Sequence, residues 1–133
     1  MLVDTSVWIE VLRDKTGFRA NMLRSALGAA IPILPRFTQL ELLQGARDED
    51  EWELLASYLD TQHYADPCTE TWAAAARTYF ELRRLGITIR SPIDCCIAQL
   101  ALETGLPLLH RDEDFRRIAG VRPLKERYLA FDV

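Results

Sequence analysis

The first ten residues, MLVDTSVWIE, restrict this chain more than any other stretch. The apolar run Met1-Leu2-Val3 stops at Asp4, two hydroxyls follow, and a helical pattern begins with Val7 and Trp8. That order reads as a buried strand that delivers a carboxylate to its C-terminal end, where a helix starts. In open parallel sheets, ligands bind in the crevice beyond the strand ends. Asp4 is therefore either a helix cap or a site residue, and Thr5 or Ser6 is the expected N-cap of a helix over 5–13.

The remaining chain alternates strand and helix signals. A helix over 18–28 is expected to present Met22, Leu23, Ala26 and Leu27 on one face and to stop at Gly28. Ile31–Pro35 reads as a short strand whose prolines restrict its pairing. The stretch RFTQLELLQGA follows as a helix. The acidic run 48–51 opens another through Leu59, as a solvated start that suits the helix dipole. A weak strand near His63–Ala65 precedes the longest helix, Thr69–Leu85, with Trp72, Ala76, Tyr79, Leu82 and Leu85 expected on its buried face. Ser91-Pro92 starts a helix that ends at Thr104-Gly105. Leu106–His110 reads as a buried strand, followed by a helix through Ala119 and a last strand near Tyr128–Phe131. This alternation predicts an α/β fold with a mainly parallel sheet in a single domain over 1–133.

Composition adds exclusions. With 133 residues, 49% apolar and 27% charged, the chain matches one globular domain and lacks the run of about 18 apolar residues that a spanning helix needs. Asp4 stands where a signal peptide would need basic residues. Cys68, Cys95 and Cys96 have no zinc spacing and read as buried free thiols in a reducing cytoplasm. The net charge of −4 is uneven: residues 1–76 carry 6 basic and 12 acidic side chains, residues 77–133 carry 10 and 8.

Four carboxylates share one context, a strand end or a helix N-terminus: Asp4, Glu41 in T-x-x-E-L-L-x-G, Asp94 in S-P-I-D, and Asp112 in L-L-H-R-D-E-D-F. Each has a structural explanation, because Thr38…Glu41 and Ser91…Asp94 have capping-box spacing and Asp112 can cap the helix after it. Together they mean more. On adjacent parallel strands these acids converge, and two carboxylates about 5 Å apart repel by roughly 3 kcal/mol at an effective dielectric of 20. Protonation can relieve that repulsion, but an oxygen-only ligand set more naturally holds Mg²⁺ or Mn²⁺. A Gly-rich phosphate loop and a G-x-S-x-G elbow are both missing. Of the two histidines, His63 is expected at the surface and His110 packed, which disfavours a metal-free ribonuclease built on a histidine pair.

Those four blocks, L-V-D-T-S-V-W, T-x-x-E-L-L-x-G, S-P-I-D-C-C-I-A and L-L-H-R-D-E-D-F, resemble the motifs of PIN-domain nucleases, most closely the VapC-type toxins of type II toxin–antitoxin modules. The resemblance spans almost the whole chain and keeps the order and spacing of the blocks. It implies a three-layer α/β/α domain with a four- or five-stranded, mainly parallel sheet and an acidic pocket at the strand ends. Asp4, Glu41, Asp94 and Asp112 match the family's acidic quartet, Asp114 matches a further acidic position used by some members, and Thr5 or Ser6 matches a hydroxyl that orients the site. Mg²⁺- or Mn²⁺-dependent cleavage of RNA, often tRNA or rRNA, is implied, as are a homodimer and a cognate antitoxin. A cytoplasmic location and the lack of a membrane partner are expected from the free thiols and the missing spanning run.

On this reading Asp4 and Asp94 are the main ligands, with Glu41 ligating or orienting water and Asp112 holding a second ion or acting through water. Arg83, Arg84, Arg90, Arg111 and Arg116 are candidates for phosphate contacts. Two other readings compete: an RNA-processing nuclease without an antitoxin, and an idle interaction module whose acids only cap helices.

Overall fold

The computed structural model describes residues 1–131. Its twelve elements run β1 (Leu2–Val3), α1 (Thr5–Arg13), α2 (Phe18–Leu27), β2 (Ile33–Pro35), α3 (Arg36–Gln44), α4 (Glu49–Asp60), β3 (His63–Ala65), α5 (Thr69–Arg84), α6 (Pro92–Thr104), β4 (Leu108–His110), α7 (Glu113–Ala119) and β5 (Glu126–Tyr128). The strands form one sheet in the order β3-β2-β1-β4-β5. Every neighbouring pair is parallel, with Leu2 opposite both Ile33 and Leu108.

Side chains alternate across a strand, and two-residue pairs sort the core into two layers. Leu2 and Leu108 face a cluster built with Ala75, Leu82, Ile97, Leu100, Phe115 and Ile118 from α5, α6 and α7. Val3 and Leu109 face the opposite cluster, with Val7, Trp8, Leu23, Leu42 and Leu59. Helices therefore cover both faces, the three-layer α/β/α arrangement in which a parallel sheet is buried on both sides. Strand order reverses between β1 and β4, so the crevice at the strand C-terminal ends opens beside Asp4 and His110.

Several expected boundaries shift. The last strand is Glu126–Tyr128 rather than Tyr128–Phe131, although Leu129 and Phe131 are still buried. On α5 the buried stripe is Thr71, Ala75, Thr78 and Leu82. Trp72 and Leu85 are 54% and 65% exposed, because the helix turns its threonine face inward, where Thr71 Oγ1 donates to Glu103. The expected apolar stripe was thus one position out of register over most of its length. The strand β2 begins at Ile33, after Pro32, and Pro35 closes it rather than interrupting it, so β2 pairs on both sides. Cys95 and Cys96 are buried as expected, whereas Cys68 is exposed at the start of α5. The N-cap of α1 is Asp4, not Thr5 or Ser6.

Candidate metal and active site

Three helix N-termini meet at the end of the sheet. Asp4 leaves β1 and caps α1, its carboxylate accepting from the Ser6 N–H at 3.0 Å and the Ser6 hydroxyl at 2.5 Å. Both bonds fall on Oδ2. Ser6 Oγ in turn accepts from the backbone N–H of Arg111 at 2.9 Å, which ties the end of β1 to the end of β4. Asp112 caps α7 by accepting from the Asp114 N–H at 3.0 Å. Asp94 lies in the first turn of α6, whose N-cap is Ser91, and nothing among the described residues donates to its carboxylate.

The capping-box reading fails at Glu41. Thr38 and Glu41 stand inside α3, which begins already at Arg36. Thr5 Oγ1 donates instead to Glu41 Oε1 at 2.8 Å, and since one hydroxyl carries one proton it accepts from Thr38 Oγ1, 2.9 Å away. Asp4 and Asp112, by contrast, are caps and pocket residues at once. The either-or posed by the sequence dissolves, because a cap occupies only part of a carboxylate.

The acids act on one another through their charge. Burial first, then the charges of Asp4, Asp112, Asp114 and Glu41, push the Asp94 carboxyl up to about 7. Asp4 is raised by burial against the pull of its Ser6 bonds. Glu41 is raised by burial and by Asp4, with Thr5 pulling the other way. Asp94 is therefore the member that feels all the others. Oxygens of Asp94, Asp112 and Asp114 lie within 4.8 Å of one another. An all-oxygen set that close, one of its carboxylates undonated among the described residues, fits a hard divalent cation such as Mg²⁺ or Mn²⁺.

Arginines close the other flank. Arg90 Nη2 sits 2.7 Å from Asp112 Oδ2 and Nε 3.5 Å from Asp114 Oδ2, and these carboxylates raise the Arg90 pKa. Arg117 Nη1 reaches Asp114 Oδ1 at 2.8 Å. This Arg117 contact was missed in the sequence, although Asp114 and Arg117 have the i, i+3 spacing of a helical ion pair. A cleft of about 660 Å³ opens beside them, lined by Thr88, Arg90, Arg111, Asp112, Asp114 and Arg117.

The other arginine candidates are spoken for to different degrees. Arg111 donates to the Leu129 carbonyl and lies over the Tyr128 and Phe131 rings, which anchors the segment after β5. Arg116 pairs with Glu113. Arg83 and Arg84 are exposed at the end of α5. His63 is exposed on the edge strand β3, and His110 is fully buried. His110 Nδ1 accepts from the Asp112 N–H, so Nε2 carries the proton and donates to Glu126 at 2.7 Å. Both ring nitrogens are occupied, which leaves no histidine pair for catalysis.

A family model of the PIN domain matches residues 1–121, and the chain belongs to the PIN-domain family. It is 35% identical over 130 residues to Ribonuclease VapC11 of Mycobacterium tuberculosis, covering 94% of this chain and 96% of that one. The fold is similar to VapBC2 from Rickettsia felis bound to a promoter DNA fragment, with a TM-score of 0.76, 16% identity and coverage of 98% and 100%. It is also similar to VapBC-5 of Mycobacterium tuberculosis, a member of the VapBC family of toxin-antitoxin systems, with a TM-score of 0.65, 21% identity and coverage of 96% and 95%. Among the described residues no helix is long and apolar enough to cross a membrane.

Proposed function

We propose that this chain is a Mg²⁺- or Mn²⁺-dependent endoribonuclease and the toxin of a toxin–antitoxin pair, with residues 1–133 forming one catalytic domain. The observation that carries the reading is Asp94, a carboxylate without a donor among the described residues, whose oxygen clusters with those of Asp112 and Asp114 and which feels four other acids at the switch point of the sheet. The family, and a 35% identical relative named as a ribonuclease, support RNA as substrate. The likeness to VapBC structures supports an antitoxin as partner.

We assign Asp4, Glu41, Asp94 and Asp112 as the catalytic set and these four with Asp114 as the metal ligands. A bound Mg²⁺ or Mn²⁺ supplies Lewis acidity toward the phosphodiester and lowers the pKa of water. The chain's own residues do the positioning. Ser6 fixes Asp4 Oδ2, so the carboxylate cannot rotate away from the pocket. Thr5 fixes one oxygen of Glu41, leaving the other to orient a water or accept its proton. Asp4 is buried and Glu41 half-buried, which lowers the dielectric around both and strengthens the action of their charge.

Leu40 on α3 and Leu54 on α4 are 58% and 75% exposed, and Trp72 stands over Phe37. A second copy covering these side chains would bury apolar surface that a monomer leaves in water, which supports a homodimer.

Cleavage of RNA by the purified chain in Mg²⁺ or Mn²⁺, lost in EDTA and in a folded Asp4→Asn variant, is the expected result. Undiminished cleavage by Asp4→Asn rejects the assignment.

A further inference from the structure

We propose that Arg90 is a removable counter-ion of this pocket. It neutralises Asp112 and Asp114 until a divalent cation takes over those carboxylates, and it is then released toward the phosphates of bound RNA. The proposal rests on the metal-dependent nuclease reading and adds a residue and a step that couple metal loading to substrate binding.

Three observations carry it. First, Arg90 and a cation compete for the same carboxylates: the guanidinium lies 2.7 Å from Asp112 Oδ2 and 3.5 Å from Asp114 Oδ2, and Asp112 and Asp114 are two of the three acids whose oxygens cluster within 4.8 Å. Second, the two ends of Arg90 are held differently. Its backbone N–H donates to Asp114 Oδ2 at 3.1 Å, immediately before the α6 cap, whereas its side chain is 77% exposed. The backbone bond pins the residue while the guanidinium stays free to leave, since an exposed ion pair holds weakly. Third, Arg90 lines the open cleft of about 660 Å³, so a displaced guanidinium has somewhere to go. A guanidinium matches a phosphate bidentately.

Arg117, on α7, donates to Asp114 Oδ1, the oxygen that Arg90 does not contact, so Asp114 keeps a partner after Arg90 departs.

The test is isothermal titration of Mn²⁺ into the full chain and into Arg90→Gln, with Arg90→Lys as a variant that keeps both the charge and the backbone N–H. Arg90→Gln is expected to bind Mn²⁺ about two- to fivefold more tightly, the fold-change of losing one exposed competing pair, and Arg90→Lys to stay close to the parent. A merely structural arginine gives the opposite sign, because its loss loosens the ligands. In Mn²⁺, Arg90→Gln is also expected to bind a 2′-O-methyl RNA oligonucleotide more weakly, with a salt slope shallower by about one. Equal or weaker Mn²⁺ binding by Arg90→Gln, beside clear binding by the parent, overturns the role of Arg90 alone. No Mn²⁺ binding by any of the three chains overturns the metal reading itself and the Arg90 role with it.

Discussion

On one flank of the pocket Asp4 and Glu41 are held by neutral hydroxyls, from Ser6 and Thr5. On the other, Asp112 and Asp114 are held by the guanidinium groups of Arg90 and Arg117. Asp94 feels the charge of both pairs and has no donor among the described residues. Hydroxyls orient a carboxylate and leave its charge in place, whereas a guanidinium removes the charge from the local balance. The hydroxyl flank therefore keeps its charge, whereas the arginine flank, whose two acids cluster with Asp94, is neutralised from within the chain. Asp4 and Asp114 are equally buried, at 4% and 3% exposed, so the contrast lies in their partners. Asp114 has a guanidinium and Asp4 only hydroxyl and backbone donors, and an unpaired buried charge is costly.

If that contrast is right, the largest effect belongs to Asp94. Replacing it by Asn removes a carboxylate to which no described residue donates. Cleavage is expected to fall on the order of 10³-fold, as for the loss of several kcal/mol of charge stabilisation, and Mn²⁺ heat to disappear in calorimetry. The metal-free protein should become more stable, since the amide carries no charge to repel four neighbours. A less stable metal-free variant would mean that the arginines already neutralise the whole pocket.

The same residue sets a pH dependence. The Asp94 carboxyl sits at about 7 in the folded chain, against about 3.9 when unfolded. A carboxyl whose pKa rises on folding binds its proton more tightly in the native state. Metal-free stability is therefore expected to decline as pH rises from about 4 to about 7 and to level off above that. Allowing for solvent screening at a partly exposed group, the decline is about 2 kcal/mol. Melting curves across that window, with and without Mn²⁺, check it: added Mn²⁺ should restore stability at pH 8 and do little at pH 5. An identical slope in Asp94→Asn would place the titration elsewhere.

Thr5 offers a smaller handle on the hydroxyl flank. Thr5→Val keeps the shape but leaves Glu41 without its donor and Thr38 without its acceptor. Loss of such a support costs about 10- to 100-fold in metal affinity or activity. Measured in Mn²⁺ titrations, unchanged affinity would show that Glu41 orients itself.

The difference between the flanks also explains what could be read from the residues in order. Asp4, Asp94 and Asp112 announce themselves because strand ends and helix starts leave local marks, and the sheet order then brings them together. Glu41 was recognised for its motif but given the wrong partner: Thr38 lies at capping-box spacing, while the hydroxyl that bonds it, Thr5, belongs to a helix 36 positions earlier. Long-range side-chain bonds leave no periodic trace. Nor did the pairing of His110 with Glu126, which depends on β4 and β5 lying side by side. The stripe on α5 was misjudged for another reason. Hydrophobicity favoured Trp72 and Leu85, but Thr71 and Thr78 tolerate burial once their hydroxyls bond to Glu103 and to the Ala74 carbonyl.

The smallest expected effect tests whether the arginine flank has a fixed member as well as a removable one. Arg117 is half exposed, and its partner Asp114 also accepts from the Arg90 backbone N–H, which no side-chain substitution removes. Arg117→Ala should therefore cost no more than about 1 kcal/mol of stability, a shift of roughly 3–6 °C in Tm for a domain of this size. Its effect on Mn²⁺ affinity should be smaller than that of Arg90→Gln, because Arg117 bonds the Asp114 oxygen that Arg90 leaves free. If Arg117→Ala instead tightens Mn²⁺ binding as much as Arg90→Gln, the two guanidinium groups act as one diffuse positive field. The distinction between an anchored arginine and a displaceable one would then have no basis in this pocket.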